Sequence, residues 1–460
     1  MMRRALLFAL CLLVGCASLP EVHPWYDGTR HAPTIIGARG PLNAEQSKAI
    51  LARLQAQGKS GDLLARHIAY EEALAGAPLT AGNDVKLLYD GPASYKAMFD
   101  AIDKARDHVN LEFYMFQDDE VGQRVSDVLL RKRAQGVAVN LIYDGVGSLN
   151  TPPEFFDRLK EAGVQVLQFN PVNPLQAARG WRVNNRDHRK IVIVDGKTAF
   201  VGGINISSVY SNRPSAHVAA PSGSRPVQRR DDGWRDTNIR LQGPAVAALQ
   251  KLYLETWQQH SKQVPPKRAW FPRANSAGNQ LVRIIASEPG DAVPAIYATY
   301  VSAIQHAEKT VHLTMAYFVP DPQTIAALEE AAQRGVDVTL VLPSYTDFWP
   351  VFHAGRSHYE DLLEAGVKIY ERQDALLHAK TAVIDGVWST VGSSNMDWRS
   401  YLHNQEVNAI ILGGEFGSQM EEMFSGDLKA SRAITRENWA KRPLQDRLKE
   451  WAARMWAYWL

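Results

Sequence analysis

Cysteine is almost missing from this chain: 460 residues hold two, Cys11 and Cys16. Long apolar runs are also missing. The run from Ala5 to Val14 is too short to cross a bilayer. Arg3 and Arg4 before it and Gly15-Cys16 after it give residues 1–15 the pattern of a signal peptide. Its removal would leave Cys16 alone, which excludes an internal disulfide and leaves no thiol for catalysis or metal binding. Net charge is missing as well. The whole chain carries +2, and loss of Arg3 and Arg4 leaves 49 basic against 49 acidic residues. Such a surface gives no bulk attraction for a nucleic-acid backbone. An apolar share of 45% and a charged share of 22% are those of a globular protein. The length suits two domains of about 200 residues, each held by its core rather than by disulfides.

Leu13-Val14-Gly15-Cys16 resembles a bacterial lipobox, in which the cysteine becomes the lipidated first residue. Cleavage near Ala17 or Ser18, or an uncleaved anchor, are the alternatives. The lipobox reading places a lipoprotein on a membrane facing the bacterial periplasm. Ala17 is not the aspartate that commonly retains lipoproteins at the inner membrane, so the sequence leaves inner and outer membrane open. Residues 16–62 read as a tether and an N-terminal helix. Asn43 with Gln46 forms a capping pattern, and Gly58 stops the run. Leu63, Leu64, Ile68 and Leu74 suggest a second helix before Pro78.

Beyond that the chain repeats itself. Ala101-Ile102 is echoed by Ala303-Ile304, Val109-Asn110-Leu111 by Val311-His312-Leu313, Gln135-Gly136-Val137 by Arg334-Gly335-Val336, and Ala162-Gly163-Val164 by Ala365-Gly366-Val367. The offsets are 202, 202, 199 and 203. β-branched runs alternate with amphipathic helices, the pattern of an α/β domain with helices on both faces of its sheet. Two pseudo-twofold halves are expected, over 63–262 and 263–440, joined near the proline-rich Gln263-Val264-Pro265-Pro266-Lys267. The first half carries about thirteen extra residues around Pro171 to Arg186 and a long loop from Ser207 to Gly233, functional or mobile.

Each half contains the same chemistry. His188-Arg189-Lys190 leads to Asp195 and, seventeen residues after the histidine, Asn205; His378-Ala379-Lys380 leads to Asp385 and Asn395 at the same spacing. One such pattern arises by chance in roughly a few per cent of chains this long, so a matched pair makes coincidence implausible. On a strand, His188 and Lys190 share one face with Val192 and Val194, while Ile191 and Ile193 take the other. Asp195-Gly196 ends the strand in a turn. Lys190, Lys380, Asn205 and Asn395 offer donors to a phosphate. One histidine can attack phosphorus while the other protonates the departing oxygen. Each needs an acidic partner; Asp236 and Glu406 lie downstream of the two motifs. A lysine beside each histidine opposes a metal ion, so neither metal nor cofactor is expected. The competing reading is a pair of core histidines in repeated strands.

These two H-x-K-x4-D motifs, with Gly202-Gly203-x-Asn205 and Gly392-Ser393-x-Asn395 behind them, resemble the phospholipase D superfamily. Leu87-Leu88-Tyr89-Asp90-Gly91, Glu112-Phe113-Tyr114-Met115-Phe116, Trp234-Arg235-Asp236-Thr237 and the string Gly392 to Ser400 are most similar to its bacterial cardiolipin synthase branch. The resemblance implies two tandem phospholipase D-like domains and metal-independent transphosphatidylation through a phosphohistidine. It makes His188 the nucleophile and His378 the general acid, pairs Glu406 with His188 and Asp236 with His378, and gives Asp195 and Asp385 the role of loop supports. Pseudo-symmetry alone does not order the histidines. The chain departs from long-form cardiolipin synthases in starting with a lipobox-like segment rather than transmembrane helices.

The expected reaction joins two phosphatidylglycerols into cardiolipin, on a membrane surface, in a monomer whose two motifs share one site. A hydrolytic phospholipase D is the near alternative; a nuclease and an inactive lipid-binding scaffold are the distant ones. Residues 441–460 bring a second membrane signal. Leu444, Leu448, Trp451, Met455 and Trp459 follow helical spacing beside Lys441, Arg442, Arg447, Lys449 and Arg454. That is either an interfacial anchor or a helix docked by its apolar stripe.

Overall fold

The computed structural model describes residues 19–22, 34–57, 68, 72, 76–173, 175, 181–212, 233–261 and 268–459. The expected signal peptide, Cys16, half of the expected tether, most of the helix expected over Leu63 to Leu74, residues 213–232 of the long loop and the expected join at 263–267 lie outside these residues. Helix α1 (Ala44–Gln57) begins as its capping pattern requires. Gln46 N–H donates to Asn43 Oδ1 at 2.9 Å and Asn43 N–H donates to Gln46 Oε1 at 3.1 Å, satisfying two helix-end donors reciprocally.

The first half is a mixed sheet. Strands β1 (Leu79–Leu88), β2 (His108–Phe113), β3 (Ala138–Asp144), β4 (Gln165–Phe169), β5 (Lys190–Val194), β6 (Thr198–Gly202) and β7 (Asn238–Gln242) lie in the order β1-β7-β6-β5-β2-β3-β4. β2, β3 and β4 run parallel because α3 (Glu120–Ala134) and α4 (Pro153–Glu161) cross over between them. β5, β6 and β7 follow as an antiparallel meander. α2 (Gly91–Asp103) precedes β2, and α5 (Val246–His260) follows β7. The alternation along β5 divides the core. Val192 and Val194 pack with Phe99, Leu129 and Phe156 of α2, α3 and α4, while Ile191 and Ile193 pack with Leu249, Tyr253 and Trp257 of α5.

The second half repeats the plan. β8 (Gln280–Ser287), β9 (Thr310–Met315), β10 (Asp337–Pro343), β11 (Lys368–Arg372), β12 (Lys380–Ile384), β13 (Trp388–Gly392) and β14 (Asn404–Leu412) lie in the order β8-β14-β13-β12-β9-β10-β11. α6 (Ala295–Gln305) precedes β9 and α7 (Pro322–Gln333) crosses from β9 to β10. Where the first half uses α4, this half uses two helices, α8 (Trp349–Arg356) and α9 (Tyr359–Ala365). α10 (Trp398–Leu402), α11 (Gly414–Lys429), α12 (Arg436–Ala440) and α13 (Leu444–Arg454) complete the chain, with a short strand Ser431–Ile434 on β11.

Two features fuse the halves. β1 pairs with β7 through Asp84–Leu88 and with β8 through Leu281↔Ala81 and Val282↔Thr80. One core also runs through both, for Ile191, Val201 and Ile239 share a cluster with Val383, Val391 and Val407. At about 25 cal/mol per Å² of apolar area, a continuous core of this kind resists separation of the halves.

Candidate active site

The catalytic pattern is built at the ends of β5 and β12, and backbone contacts from the opposite half fix it. His188 precedes β5 rather than lying in it: the strand starts at Lys190, and His188 N–H donates to Gln405 O at 3.0 Å. His378 stands alike before β12, with its N–H on Arg235 O at 2.8 Å. The local cause is pairing across the halves. Arg186–Asp187 adds in parallel to Asn404–Gln405, and Arg235 bridges Leu377 in parallel. Each histidine therefore arrives with its main chain already attached to the other half.

The side chains cross in the same way. His188 Nδ1 lies 2.9 Å from Glu406 Oε1 and 3.1 Å from Oε2. His378 Nδ1 lies 2.7 Å from Asp236 Oδ2. A carboxylate accepts, so each imidazole donates from Nδ1 and turns its Nε2 to the site, as a lone pair in a neutral ring and as an N–H in a charged one. Asp236 and Glu406 are equivalent, each two residues before the asparagine that pairs with the motif glycine, Asn238↔Gly202 and Asn408↔Gly392. Small residues behind each acid are required by contact. A Cβ on Gly203 would sit 2.1 Å from Asp236 Oδ1. In the second half Ser393 takes that place and donates to Glu406 Oε2 at 2.5 Å, and Asn404 Nδ2 donates to Oε1 at 3.1 Å.

Both histidines, both lysines and both acids are buried. Burial holds His188 well below the ordinary imidazole range, and the neighbouring Lys190, Lys380 and His378 charges add to it. Burial and Lys380 lower His378 too, against Asp236, which pulls it up. Burial pushes Lys190 down to about 7, Lys380 down to about 8 and Glu406 up to about 7. The pocket is short of negative charge, and a bound phosphate would restore the lysine ammoniums. Lys190 Nζ donates to His188 O, and Lys380 Nζ contacts His378 O at 2.5 Å and Nδ1 at 3.0 Å.

The two asparagines are held differently. Asn205 Oδ1 accepts from Met115 N–H at 3.0 Å and its Nδ2 donates one hydrogen to Tyr210 Oη at 3.2 Å, which fixes the amide on the wall of the site. Asn395 Oδ1 is buried without a hydrogen bond. Asp195 and Asp385 lie at the far ends of their strands, about 16 Å along β5 or β12 from the lysines. Asp195 accepts from the N–H groups of Arg106, Asp107 and His108, and Asp385 from those of Glu308, Lys309 and Thr310. Both adopt φ of 52°. The two aspartates hold the loops that feed β2 and β9 and do not touch the histidines.

Sequence spacing missed the aromatic shell and a buried charge cluster. Tyr114 stands edge-on to His188 at 5.0 Å, with Lys190 Nζ 5.3 Å from its ring centre. Tyr210 Oη lies 3.3 Å from His378 Nδ1, and Trp234 and Tyr317 flank the same imidazole at 5.4 and 6.5 Å. Behind His188, Arg189 donates to Glu406 O at 3.3 Å, Thr256 Oγ1 at 3.0 Å and Glu288 Oε1 at 3.1 Å, with Glu112 3.8 Å away. Burial pushes Glu112 up and brings Asp187 to about 7. The corresponding positions behind His378 are Thr314, Leu377 and Ala379. The two histidines, alike in their motifs, thus have different surroundings. Among the described residues no group of three His, Cys, Asp or Glu side chains is arranged to hold a metal ion.

Comparison with known proteins agrees with this geometry. Residues 98–213 and 300–428 match the family described as "Cardiolipin synthase, PLD-like domain". The cardiolipin synthase of Listeria innocua is 36% identical over 383 residues, covering 83% of this chain and 76% of that protein. The major cardiolipin synthase of Bacillus subtilis is 35% identical over 385 residues, covering 82% and 76%. The crystal structure of phosphatidylserine synthase from Haemophilus influenzae superposes with a TM-score of 0.63 at 13% identity, covering 85% of this chain and 99% of that one, which speaks for the fold. With both motifs in place and both halves matched, the chain belongs to the phospholipase D superfamily, among its cardiolipin synthase-like members.

Proposed function

We propose that this protein is a phosphatidyltransferase that joins two phosphatidylglycerols into cardiolipin and releases glycerol. The observation that supports it best is the pair of buried His–carboxylate contacts, each reaching from one half to the other. In the first step His188 Nε2 attacks the phosphorus of one phosphatidylglycerol. The P–O bond to the glycerol headgroup breaks as His378 gives that oxygen a proton, leaving a phosphatidyl-histidine and free glycerol. In the second step a headgroup hydroxyl of another phosphatidylglycerol loses its proton to His378 and attacks phosphorus. The P–N bond breaks, cardiolipin forms and His188 is restored.

The roles follow the surroundings of the two rings. Burial and nearby cations keep His188 neutral, the state a nucleophile needs. Asp236 steadies the imidazolium that His378 must be before it gives its proton to the departing oxygen. Lys190 and Lys380, released from their own carbonyls, would hold the non-bridging phosphate oxygens through both steps. Phosphatidylglycerol fits because one molecule class supplies both phosphorus and attacking hydroxyl.

The same reading makes the protein a monomer with one shared site, held to a membrane by a lipid on Cys16 and facing the periplasm. Labelling cells with radioactive palmitate tests the anchor: a labelled band lost in Cys16→Ser is expected, and an unlabelled wild-type band would contradict it. For the reaction, purified protein with chelator present is incubated with phosphatidylglycerol in detergent micelles. Cardiolipin and glycerol in equal amounts are expected. Phosphatidic acid in place of cardiolipin would mean that water is the acceptor, and no turnover would leave a binding protein.

A further inference from the structure

The C-terminal helix is docked the wrong way round for a core element. α13 turns Ala453 inward against Val351 and Ala354 of α8. Glu450, also buried, is held by Arg442 Nε at 2.9 Å and faces Arg356 Nε at 3.7 Å. At about 3.6 residues per turn, Leu444, Leu448, Trp451 and Met455 fall within about 60° of arc directly opposite Ala453. All four are exposed, Leu444 at 70% and Trp451 at 64%. Arg447 and Arg454 border that stripe on one side. An apolar stripe ordinarily faces the core. Here small and ionic contacts attach the helix, and its large apolar side chains are left in solvent.

Contacts through α8 link this helix to the wall of the active site. α8, on which α13 lies, exposes Phe348 and Trp349 at its start, Trp349 at 62%. The preceding residue, Asp347, accepts a hydrogen bond from Tyr317 Oη at 2.7 Å, and Tyr317 stands edge-on to His378. One connected set of elements therefore runs from outward-facing Trp, Leu and Met side chains to the wall of the catalytic pocket. Among the described residues no helix is long and apolar enough to cross a membrane.

We propose that the outer stripe of α13 seats in the headgroup region of an anionic phospholipid bilayer and holds the enzyme at the surface that carries its substrate. This rests on the lipid reading of the site. The chemistry favours a bilayer over a protein partner. Tryptophan, leucine and methionine on one face with arginines at the edge satisfy apolar chains and anionic headgroups together. The attachment is also adjacent to a site whose lysines await a phosphate.

The test uses the full chain carrying Cys16→Ser, so that no lipid anchor contributes, and compares it with the same chain carrying Leu448→Glu and Trp451→Glu. Sedimentation with phosphatidylglycerol vesicles should fall at least tenfold in the double variant. Vesicles of phosphatidylcholine alone should bind the parent more weakly, and salt should weaken its binding to phosphatidylglycerol. Turnover of phosphatidylglycerol dispersed in detergent micelles should stay within about twofold, which also shows that the variant is folded. Unchanged vesicle binding would overturn the proposal. So would a parent dimer, seen by light scattering, that the double variant abolishes, because the face would then be an interface between copies. Absence of micelle turnover in the parent, with vesicle binding intact, would instead reject the proposed reaction and leave the docking surface standing.

Discussion

Single side chains decide the chemistry through their protonation. Glu406 fixes His188 with Nδ1–H inward, and an amide at that place would still hydrogen-bond but would stabilise neither tautomer nor developing charge as well. Glu406→Gln is expected to lower kcat by about 10²–10⁴-fold with little change in KM, read from initial rates of cardiolipin formation. The pH profile follows from the shifts of the same groups. Glu406, raised to about 7, loses its charge as pH falls through that value. Lys190 and Lys380, lowered to about 7 and about 8, lose theirs as pH rises through those values. For the free enzyme, kcat/KM should therefore trace a narrow bell with its maximum close to pH 7. The basic limb of kcat should lie higher, because a bound phosphate anion favours the charged lysines. A basic limb near pH 10 in kcat/KM would contradict the burial argument. In Glu406→Gln the acid limb should move down.

At the level of elements, the motif aspartates show why a catalytic pattern contains residues that touch no substrate. Asp385 collects three main-chain N–H groups ahead of β9 while standing in the left-handed region, and Asp195 does the same ahead of β2. Asp385→Ala removes those acceptors and puts alanine at φ 52°. A loss of about 2–4 kcal/mol in urea unfolding is expected, with a smaller loss for Asp385→Asn, which keeps an acceptor and tolerates that conformation. A stability change below about 0.5 kcal/mol would show the loop to be held by other contacts. Here sequence was a good guide where periodicity carried the signal: the alternation Ile191-Val192-Ile193-Val194, the Asn43–Gln46 cap and the glycines ending α3, α4 and α9 all have local causes. It was a poor guide where contacts are long-range. Nothing near His188 announces Tyr114 at its edge or the Glu112–Asp187–Arg189 cluster behind it. Spacing likewise gives no sign that Tyr210 and Met115 hold the amide of Asn205 in place. In α13 the stripe was legible and its outward direction was not, because direction depends on what Ala453 meets.

For the whole molecule, duplication and fusion make one site from two half-sites. Each histidine takes its acid and its main-chain partner from the other half, so neither half is complete alone. The continuous core and the strand shared by both sheets hold that geometry within a single chain. Mixing His188→Ala with His378→Ala should consequently restore no activity, since no chain in the mixture owns both rings. Recovery toward a quarter of wild-type activity would require exchange of halves between chains. The surroundings of the rings differ despite the shared fold, with charged Arg189 behind one and Ala379 behind the other.

Trapping the covalent intermediate tests that division of labour most directly. Wild type, His188→Ala and His378→Ala are mixed with ³²P-labelled phosphatidylglycerol, quenched in alkali, which preserves phosphohistidine, and the labelled peptide is located. Label on His188 is expected in wild type, with accumulation in His378→Ala when the departing alcohol is replaced by one that needs no proton, and none in His188→Ala. Label that persists in His188→Ala and maps to His378 would contradict the assignment and reverse the two roles.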